Sequence, residues 1–448
     1  MADFVVIGGG FAGLAAAARI AESGGRVTLF ERRGFLGGRA YSFVDATTGD
    51  VVDNGQHLFM GCYHHTIAFL RKIGSIHKLK FQETPQVCFL DARARLSWFR
   101  CPNVPPPWHL SLGLLRLESL GLRDKLRALA VGRALRAAGN GSPSGLNEIS
   151  VETWLNEMRQ SAQLQRNFWN PLAVAILNQE TRRASADLFI RVLQQAFMAE
   201  RSNSVIGISR VGLSELYTED AAEFIRQHGG SVRLNATVSR IVALDRKAIG
   251  VELKAGEIIH ADAIISAVPP GALMHLLPTP VRDTEECFQN LPRLNASPIV
   301  SINLWFDRPV TELEFAGLLG TRVQWLFNKD RIFARPRSDR MQLALVISAA
   351  ADYIARSREE LIDLALQECR QLMPTTRTAE LRHALVVKER EATISHEVGT
   401  GRYRPSSRTP LRNLYLAGDW TDTGLPATIE SAVMSGHRAA ELALWGDS

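Results

Sequence analysis

Three glycines between an apolar run and an alanine-rich run limit the fold of this chain more than any other feature. They are Gly8, Gly10 and Gly13. The first allows a tight turn, the second lets the backbone approach a pyrophosphate, and the third lets helix and strand pack closely. A second apolar run follows and ends in Glu31, whose carboxylate is placed to accept hydrogen bonds from ribose hydroxyls. The stretch therefore predicts a βαβ unit that binds a dinucleotide, and Glu31 argues against a ribose 2′-phosphate.

A second glycine turn with basic residues follows directly. It contains Arg32, Gly37, Gly38 and Arg39. Nicotinamide-binding folds have no obvious use for such a turn. A flavin dinucleotide does, because the turn brings further backbone N–H groups and an arginine to the diphosphate and the ribityl chain. The sequence therefore predicts FAD as the cofactor.

Length, charge and cysteine usage limit the possible number of domains, the kinds of partner and the cellular location of the protein. A chain of 448 residues is long enough for two domains, and a net charge of +6 does not suggest a nucleic-acid partner. The five cysteines lack metal-ligand spacing, which predicts no metal site and fits a reducing compartment. No apolar run reaches the roughly 18 residues of a spanning helix. We therefore expect a cytoplasmic protein, with peripheral contact to the inner face of a membrane as an option.

A loop of mixed polar and apolar residues precedes the first predicted helix after the second glycine turn. It contains Gly55, where backbone comes close to another group, and then Gln56, His57 and Tyr63. In a flavin fold such a loop lies along the isoalloxazine ring. His57 is either a buried structural histidine or a functional group, and both interpretations stay open.

Residues 109–138 combine leucines at helical spacing with six arginine or lysine residues. This pattern predicts a basic amphipathic helix pair. Such helices lie in a membrane interface, with the apolar face in the acyl boundary and the cations among the headgroups. The alternative is a pair that packs its apolar face on the core and exposes its charges to solvent.

The segment from Phe168 to Asn178 is unusually apolar and aromatic for a surface segment. One interpretation is that it belongs to the core. The other is that it forms the wall of an apolar substrate cavity, with Trp169 in the wall and Asn170 and Asn178 as its few polar contacts.

The C-terminal region returns to the pattern of the N-terminus. A strand runs into the turn Gly418-Asp419, and a helix opens near Thr428 and Ile429. In a flavin domain the turn presents Asp419 to the ribityl or diphosphate region, and the helix points its positive end at the pyrimidine ring.

We therefore expect an α/β fold, with a Rossmann-like FAD-binding domain and a discontinuous α+β substrate domain. The β-patterned stretch around Val238 returns the chain to the cofactor domain after an insertion. The predicted cofactor domain comprises residues 1–75, 206–270 and 405–448. The predicted substrate domain comprises residues 76–205 and 271–404.

These motifs resemble the FAD-dependent amine oxidase and phytoene desaturase superfamily over essentially the whole chain. Within it, the stretches 52–63, 169–178 and 417–420 look most like the squalene-associated branch, the hydroxysqualene dehydroxylases of hopanoid biosynthesis. Amine oxidases hold a tyrosine two residues before the glutamate of the last motif, and this chain has Thr428 there. Without that aromatic cation-π wall, an amine substrate is disfavoured and an uncharged lipid favoured.

The resemblance implies reductive loss of the allylic hydroxyl of hydroxysqualene, which gives squalene and water while reduced FAD is oxidised. Hydroxide is a poor leaving group, so a proton donor has to reach it. His57 is the first candidate, with Gln56 and Tyr63 as orienting or alternative groups. Gly55, Val238, Thr428 and Ile429 complete the set expected around the cofactor.

Two other functions remain open on sequence. A carotenoid-type desaturase would oxidise its polyene and would need an electron acceptor. A non-catalytic flavin-binding or lipid-carrier protein would bind its ligand without changing the redox state of the flavin. The expected partner is in either case a polyisoprenoid lipid, and the sequence does not indicate the oligomeric state.

Overall fold

A computed structural model describes residues 2–106, 108–137, 145–336 and 340–446. The two predicted domains and the predicted helix pair of residues 109–138 extend into residues 1, 107, 138–144, 337–339 and 447–448, which lie outside the described residues. The strands, numbered in chain order, are β1 (Asp3–Ile7), β2 (Arg26–Phe30), β3 (Ser42–Val44), β4 (Val51–Asp53), β5 (Phe59–Met60), β6 (Leu79–Phe81), β7 (Gln86–Asp91), β8 (Leu96–Arg100), β9 (Ile206–Ser209), β10 (Ser231–Arg233), β11 (Val238–Leu244), β12 (Lys247–Leu253), β13 (Ile258–His260), β14 (Ala263–Ser266), β15 (Ala296–Phe306), β16 (Phe315–Leu319), β17 (Trp325–Asn328), β18 (Met341–Ile347), β19 (Leu381–Ile394) and β20 (Leu414–Leu416).

The α-helices are numbered in the same way. They are α1 (Phe11–Glu22), α2 (His64–Lys72), α3 (Trp108–Arg116), α4 (Leu122–Ala137), α5 (Val151–Glu157), α6 (Ala162–Leu164), α7 (Asn170–Leu177), α8 (Ala186–Leu193), α9 (Leu213–Gln227), α10 (Pro270–Leu276), α11 (Thr279–Thr284), α12 (Glu286–Gln289), α13 (Lys329–Ile332), α14 (Arg358–Leu372) and α15 (Ile429–Trp445). Two π-helical turns, Gln165–Trp169 and Gln194–Met198, precede α7 and follow α8.

A parallel sheet with strand order β10-β2-β1-β14-β20 holds the predicted βαβ unit. Its strands come from three distant parts of the chain. Successive residues of β1 alternate between two cores: Val6 packs with the α1, α9 and α15 side, and Val5 with the β11–β12 side. Because the strands are parallel, their carboxyl ends meet at one edge, where ligands bind in open α/β sheets.

The stretch around Val238 is more complex than a simple return to that sheet. Strands β10 and β14 join it, whereas β11, β12 and β13 form a separate antiparallel sheet. The strand ending before the Gly418-Asp419 turn does join the parallel sheet, as β20. The division of the chain into two domains stays a prediction.

A second, mostly antiparallel sheet has the strand order β19-β15-β18-β17-β16-β7-β8. Strand β15, which lies between β19 and β18, buries Val300, Ile302 and Leu304 in a core shared with α14. The intervening residues Ser301 and Asn303 lie on the opposite face, since side chains alternate along a strand. Helices α3 to α8 form a separate apolar cluster beside this sheet.

Candidate functional site

The two glycine turns lie against each other at the carboxyl edge of the parallel sheet. The Gly37 N–H donates a hydrogen bond to the Gly9 carbonyl at 2.8 Å. A Cβ on Gly38 would lie 3.0 Å from the Cα of Gly10, and one on Gly13 would lie 1.9 Å from the Gly8 carbonyl oxygen. The contact at Gly13 excludes a side chain and the contact at Gly38 leaves little room for one, so the backbone forms a shallow cradle.

The cradle opens onto the N-terminus of α1. Gly10 is the N-cap residue, and no side chain among the described residues caps this helix end. The first N–H groups of a helix have no partner within the helix, and the dipole makes this end positive. A diphosphate therefore fits these residues.

Glu31 is buried at the end of β2, directly beside the cradle. Its two carboxylate oxygens accept hydrogen bonds from the backbone N–H groups of Gly9 at 2.8 Å and Arg33 at 2.9 Å. These bonds fix the carboxylate at the turn, and each oxygen retains a lone pair for a ribose hydroxyl. The N–H of Ala236 donates to the Glu31 carbonyl at 2.9 Å, and Val238, two residues later, packs in the same core as Phe30.

Arg39 links the second glycine turn to the C-terminal turn. Its guanidinium forms an ion pair with Asp419, whose side chain is buried. The neighbouring arginines differ in their surroundings: Arg33 donates to the Gly38 carbonyl at 3.2 Å, whereas Arg32 is exposed. Arg33, which the sequence analysis did not single out, is therefore the arginine that braces the second turn.

Arg404 shapes the segment that leads to α15. Its buried guanidinium donates to the carbonyls of Asp419 at 2.9 Å, Thr421 at 2.5 Å and Leu425 at 2.6 Å. These bonds turn the carbonyls inward, toward the guanidinium. The segment ends at Thr428, the N-cap of α15, whose hydroxyl accepts the Ser431 N–H at 3.2 Å. Ile429 is the first residue of the helix and packs in the core beside α1.

A buried ion pair anchors the loop that follows β4. Lys329 Nζ lies 2.7 Å from Asp53 Oδ2, and the two side chains are 1% and 5% exposed. The same ammonium donates to Gln56 Oε1 at 2.8 Å and lies 4.1 Å from the Phe333 ring centroid. Burial lowers the pKa of Lys329, and the charge of Asp53 acts in the opposite direction. Lys329 thus positions the loop at Gln56.

His57 is half-buried in this loop, and its hydrogen bond determines its tautomer. Nδ1 lies 2.9 Å from the Gly55 carbonyl, which only accepts, so Nδ1 carries the hydrogen. Burial lowers the pKa of His57. The neutral side chain therefore offers Nε2 as a hydrogen-bond acceptor. The prediction that His57 is the proton donor stays a prediction, and it requires the imidazolium form.

A large apolar cavity of about 860 Å³ lies beside these loops. At one end its lining includes exposed Trp108, Leu115 and Leu126 of α3 and α4. At the other end it reaches Tyr63 and Thr428. The residues that line it do not include Gln56 or His57.

The π-helical turn and α7 supply one wall of the cavity. Trp169 lines it and is held by a hydrogen bond from its Nε1 to Gln160 Oε1 at 2.9 Å. Asn170 is not among the residues that line the cavity, and its Oδ1 is buried without a hydrogen-bond partner.

The structure places the amide of Asn178 against the second sheet, and the prediction that it contacts substrate stays a prediction. Its Nδ2 donates to the Ser297 carbonyl at 3.1 Å and to Thr393 Oγ1 at 3.0 Å, and its Oδ1 accepts the Ala349 N–H at 2.7 Å. Its amide is therefore engaged on both sides. Asn178 ends α7 in the left-handed conformation and attaches it to the second sheet.

Comparison with known proteins places the chain among flavoenzymes. The family model described as "Flavin containing amine oxidoreductase" matches residues 11–444. The chain belongs to this family. FAD is accordingly its cofactor, in agreement with the cradle that the glycine turns form.

Its relatives act on isoprenoids according to their names. A hydroxysqualene dehydroxylase of Rhodopseudomonas palustris is 30% identical over 442 residues, which cover 98% of this chain and 97% of the relative. A 15-cis-phytoene desaturase of Synechococcus elongatus is 27% identical over 97% of this chain and 94% of the relative. An oxidoreductase structure from Methanosarcina mazei has a TM-score of 0.77 at 18% identity, covering 98% of this chain and all of that one, and shares its fold. The chain is thus an FAD-dependent oxidoreductase.

Two residues of the site carried no signal in the sequence, and a third carried a weak one. Lys329 and Arg404 lie in stretches typical of ordinary strand or loop ends with other cations nearby, and their partners lie elsewhere in the chain. Glu430 accepts hydrogen bonds from the start of α2, more than 360 residues away. Only the glutamate of the last motif offered a hint, through its place at the start of a predicted helix.

Proposed function

We propose that the protein is a hydroxysqualene dehydroxylase, which reductively removes the allylic hydroxyl of hydroxysqualene to give squalene. The cavity carries this proposal. Its size, about 860 Å³, and its apolar lining suit a long hydrocarbon, and it ends at the start of α15, beside the cofactor segment. Thr428 replaces the tyrosine of an amine-binding cage, which also favours an uncharged substrate.

The proposed reaction places clear demands on the protein. Bound FAD, when reduced, supplies a hydride to the allylic carbon. The chain itself has to hold the alcohol next to that donor, supply a hydrogen bond or proton to the departing oxygen, and exclude bulk water, which would return the alcohol. The apolar wall around Trp169 helps to exclude bulk water. The groups proposed to supply the hydrogen bond or proton are Gln56, His57 and Tyr63.

The proposal includes the route by which the lipid arrives. Trp108 is 64% exposed, Leu122 69% and Leu126 57%, and Trp108 and Leu126 also line the cavity. The exposed Arg133 and Arg136 line it as well. An apolar surface with arginines around it fits the acyl and headgroup layers of an anionic membrane. We therefore propose that α3 and α4 rest on the membrane and admit the substrate from it.

Membrane contact of this kind is peripheral. In the described residues, no helix is long and apolar enough to cross a bilayer. One apolar face of the helix pair packs on the core, through Leu114, Leu117 and Leu135. This packing is what the alternative interpretation of the sequence pattern predicts. The exposed leucines remain for the membrane.

The decisive experiment starts from reduced enzyme. Under anaerobic conditions the protein is reduced, hydroxysqualene is added in detergent, and the flavin absorbance is followed together with the extracted lipid. We expect the oxidised flavin band to return in step with squalene. A flavin that stays reduced while the lipid is bound would contradict the proposal. Bleaching of oxidised flavin by a carotenoid precursor would instead support a desaturase, the function named for the Synechococcus relative.

A further inference from the structure

The starts of two helices meet at the cofactor end of the cavity. Tyr63 is the N-cap residue of α2, Thr428 is the N-cap residue of α15, and both side chains line the cavity. Glu430, in the first turn of α15, joins the two helix ends. Its carboxylate accepts the backbone N–H groups of His65 and Thr66, each at 2.9 Å, and the Thr66 hydroxyl at 2.7 Å. The two N-cap side chains are therefore held side by side.

The side chains of Tyr63 and Thr428 both line the cavity, and their hydroxyls are neighbours. Burial raises the pKa of the Tyr63 phenol, and the Thr428 hydroxyl beside it acts in the opposite direction, so the phenol keeps its proton at neutral pH. The Thr428 hydroxyl donates to the Pro426 carbonyl at 3.3 Å, which is long for a bond between two oxygens. Its proton is therefore loosely held and can turn toward a ligand.

The surroundings of the two hydroxyls are mostly apolar. Met60, Trp325, Leu425 and Pro426 line the cavity with them, and the polar groups that also line it near Tyr63 are Cys62 and Glu430, whose carboxylate is already engaged by the start of α2. An alcohol binds more tightly when its oxygen forms hydrogen bonds with the two hydroxyls, because a polar group that is buried without a partner is costly. A hydrocarbon has no group that can form a hydrogen bond with them.

We propose that Tyr63 and Thr428 form the subsite that binds the hydroxyl group of an allylic alcohol. This inference rests on the proposed function and names the groups that meet the reacting oxygen. In the reaction the carbon–oxygen bond breaks with its electron pair going to oxygen, which takes a proton and leaves as water. The allylic carbon receives a hydride from the reduced cofactor, which loses two electrons and also supplies the proton. The two hydroxyls donate hydrogen bonds to the oxygen as its negative charge develops.

Binding to the oxidised holoenzyme tests the subsite without turnover. The dissociation constants of hydroxysqualene and squalene are measured in detergent by the change in flavin absorbance. We expect wild-type protein to prefer the alcohol about tenfold, from one or two hydrogen bonds. In the double variant Tyr63→Phe/Thr428→Val the preference falls to about one, with squalene binding unchanged. Tyr353→Phe, at a tyrosine outside the cavity lining, is the matched control and keeps the full preference.

A double variant that still prefers the alcohol tenfold would overturn the subsite. Loss of squalene binding in the double variant would also count against the subsite, because the two hydroxyls would then maintain the shape of the cavity rather than bind the alcohol group. Thr428→Ser, which keeps the hydroxyl, is expected to have the same preference as wild type, and Tyr63→Phe/Thr428→Ser the same preference as Tyr63→Phe.

The kinetics separate this inference from the proposed function. With reduced enzyme at saturating hydroxysqualene, Tyr63→Phe is expected to slow flavin reoxidation about tenfold to a hundredfold, with the midpoint potential unchanged. If wild-type flavin is not reoxidised at all, the proposed function fails, whereas the binding preference still reports on the subsite. If wild-type is active and Tyr63→Phe/Thr428→Val reoxidises at the same rate, the subsite fails alone.

Discussion

Replacing Lys329 by methionine tests whether the buried ion pair with Asp53 anchors the loop that follows β4. Methionine keeps most of the length and apolar volume of the stem but removes the ammonium. Asp53, 5% exposed, then loses the cation 2.7 Å from its Oδ2, and Gln56 loses its donor at 2.8 Å. Asp53 retains only the Leu213 N–H, which donates to its Oδ1 at 2.9 Å.

The expected cost follows from an uncompensated buried charge. Removing one partner of a buried ion pair typically costs about 3–5 kcal/mol in the free energy of unfolding. Unfolding entropy of about 2.1 cal/mol/K per residue gives about 0.9 kcal/mol/K for a chain of this length. We therefore expect the melting temperature of Lys329→Met to fall by about 3–5 °C.

A double-mutant cycle isolates the pair. In Lys329→Met/Asp53→Asn both charges are removed, and the cost should be smaller than that of Lys329→Met alone, because no charge is left buried. Lys254→Met, at an exposed lysine, is the matched control, with an expected change in unfolding free energy within about 0.5 kcal/mol. Thermal unfolding followed by circular dichroism measures the wild type, the single variants Lys329→Met and Asp53→Asn, the double variant and Lys254→Met.

Two results would refute this reasoning. One is a Lys329→Met protein as stable as Lys254→Met, which would mean that the ammonium contributes nothing at this site. The other is strict additivity of Lys329→Met and Asp53→Asn, which would mean that the two charges do not interact. The visible spectrum of bound FAD should also change in Lys329→Met, because Gln56 is released, and should be unchanged in Lys254→Met.

Three further changes probe the cofactor segments and the support of the cavity wall. Burial lowers the pKa of His396 to about 3, so the unfolded chain binds a proton that the folded chain does not, and stability is lost as the pH falls below about 6.5, by at most about 1.4 kcal/mol per pH unit. His396→Gln, which can still accept the Ala427 N–H, should flatten the melting temperature between pH 7 and pH 5. Gly38→Ala puts a Cβ 3.0 Å from the Gly10 Cα at φ +59°, and should raise the dissociation constant of FAD, measured by equilibrium dialysis, about tenfold. Asn178→Ala loses three side-chain hydrogen bonds and should cost about 2–3 kcal/mol in urea unfolding, with flavin reoxidation by bound lipid unchanged.

The cofactor half of the molecule was accessible from sequence because its chemistry is encoded locally. The glycines of the first turn act through their own backbone, and Glu31 sits at the end of the strand that the pattern predicts. The helix that opens after Thr428 is likewise defined by its own N-cap. In each case a few neighbouring residues determine the geometry. The assignment to a flavoprotein fold and to FAD, which the comparisons confirm, needed nothing more distant.

The substrate half was less accessible because its decisive contacts join distant residues. Lys329 follows a strand and looks like any exposed lysine until the fold brings it to Asp53, 276 residues away. The contacts of Asn178 have the same origin. An asparagine in an apolar segment is typical of a polar contact for a ligand, but three hydrogen bonds attach this amide to distant parts of the chain that the local sequence does not reveal. For the basic helix pair, the local pattern predicted the helices but did not decide between core packing and exposure, because one face packs in the core and the other is exposed.

The position of the cofactor loop depends on both halves at once. Asp50 accepts a hydrogen bond from the Trp305 indole at 2.8 Å, and Asn54 donates to Glu389 at 2.9 Å. Together with the Asp53 ion pair, these contacts fasten the stretch before Gly55 to the second sheet. A change in that sheet is therefore expected to move this loop, even where it leaves the glycine cradle intact. For this reason we expect substitutions under the loop to alter the reactivity of the flavin before they alter its retention.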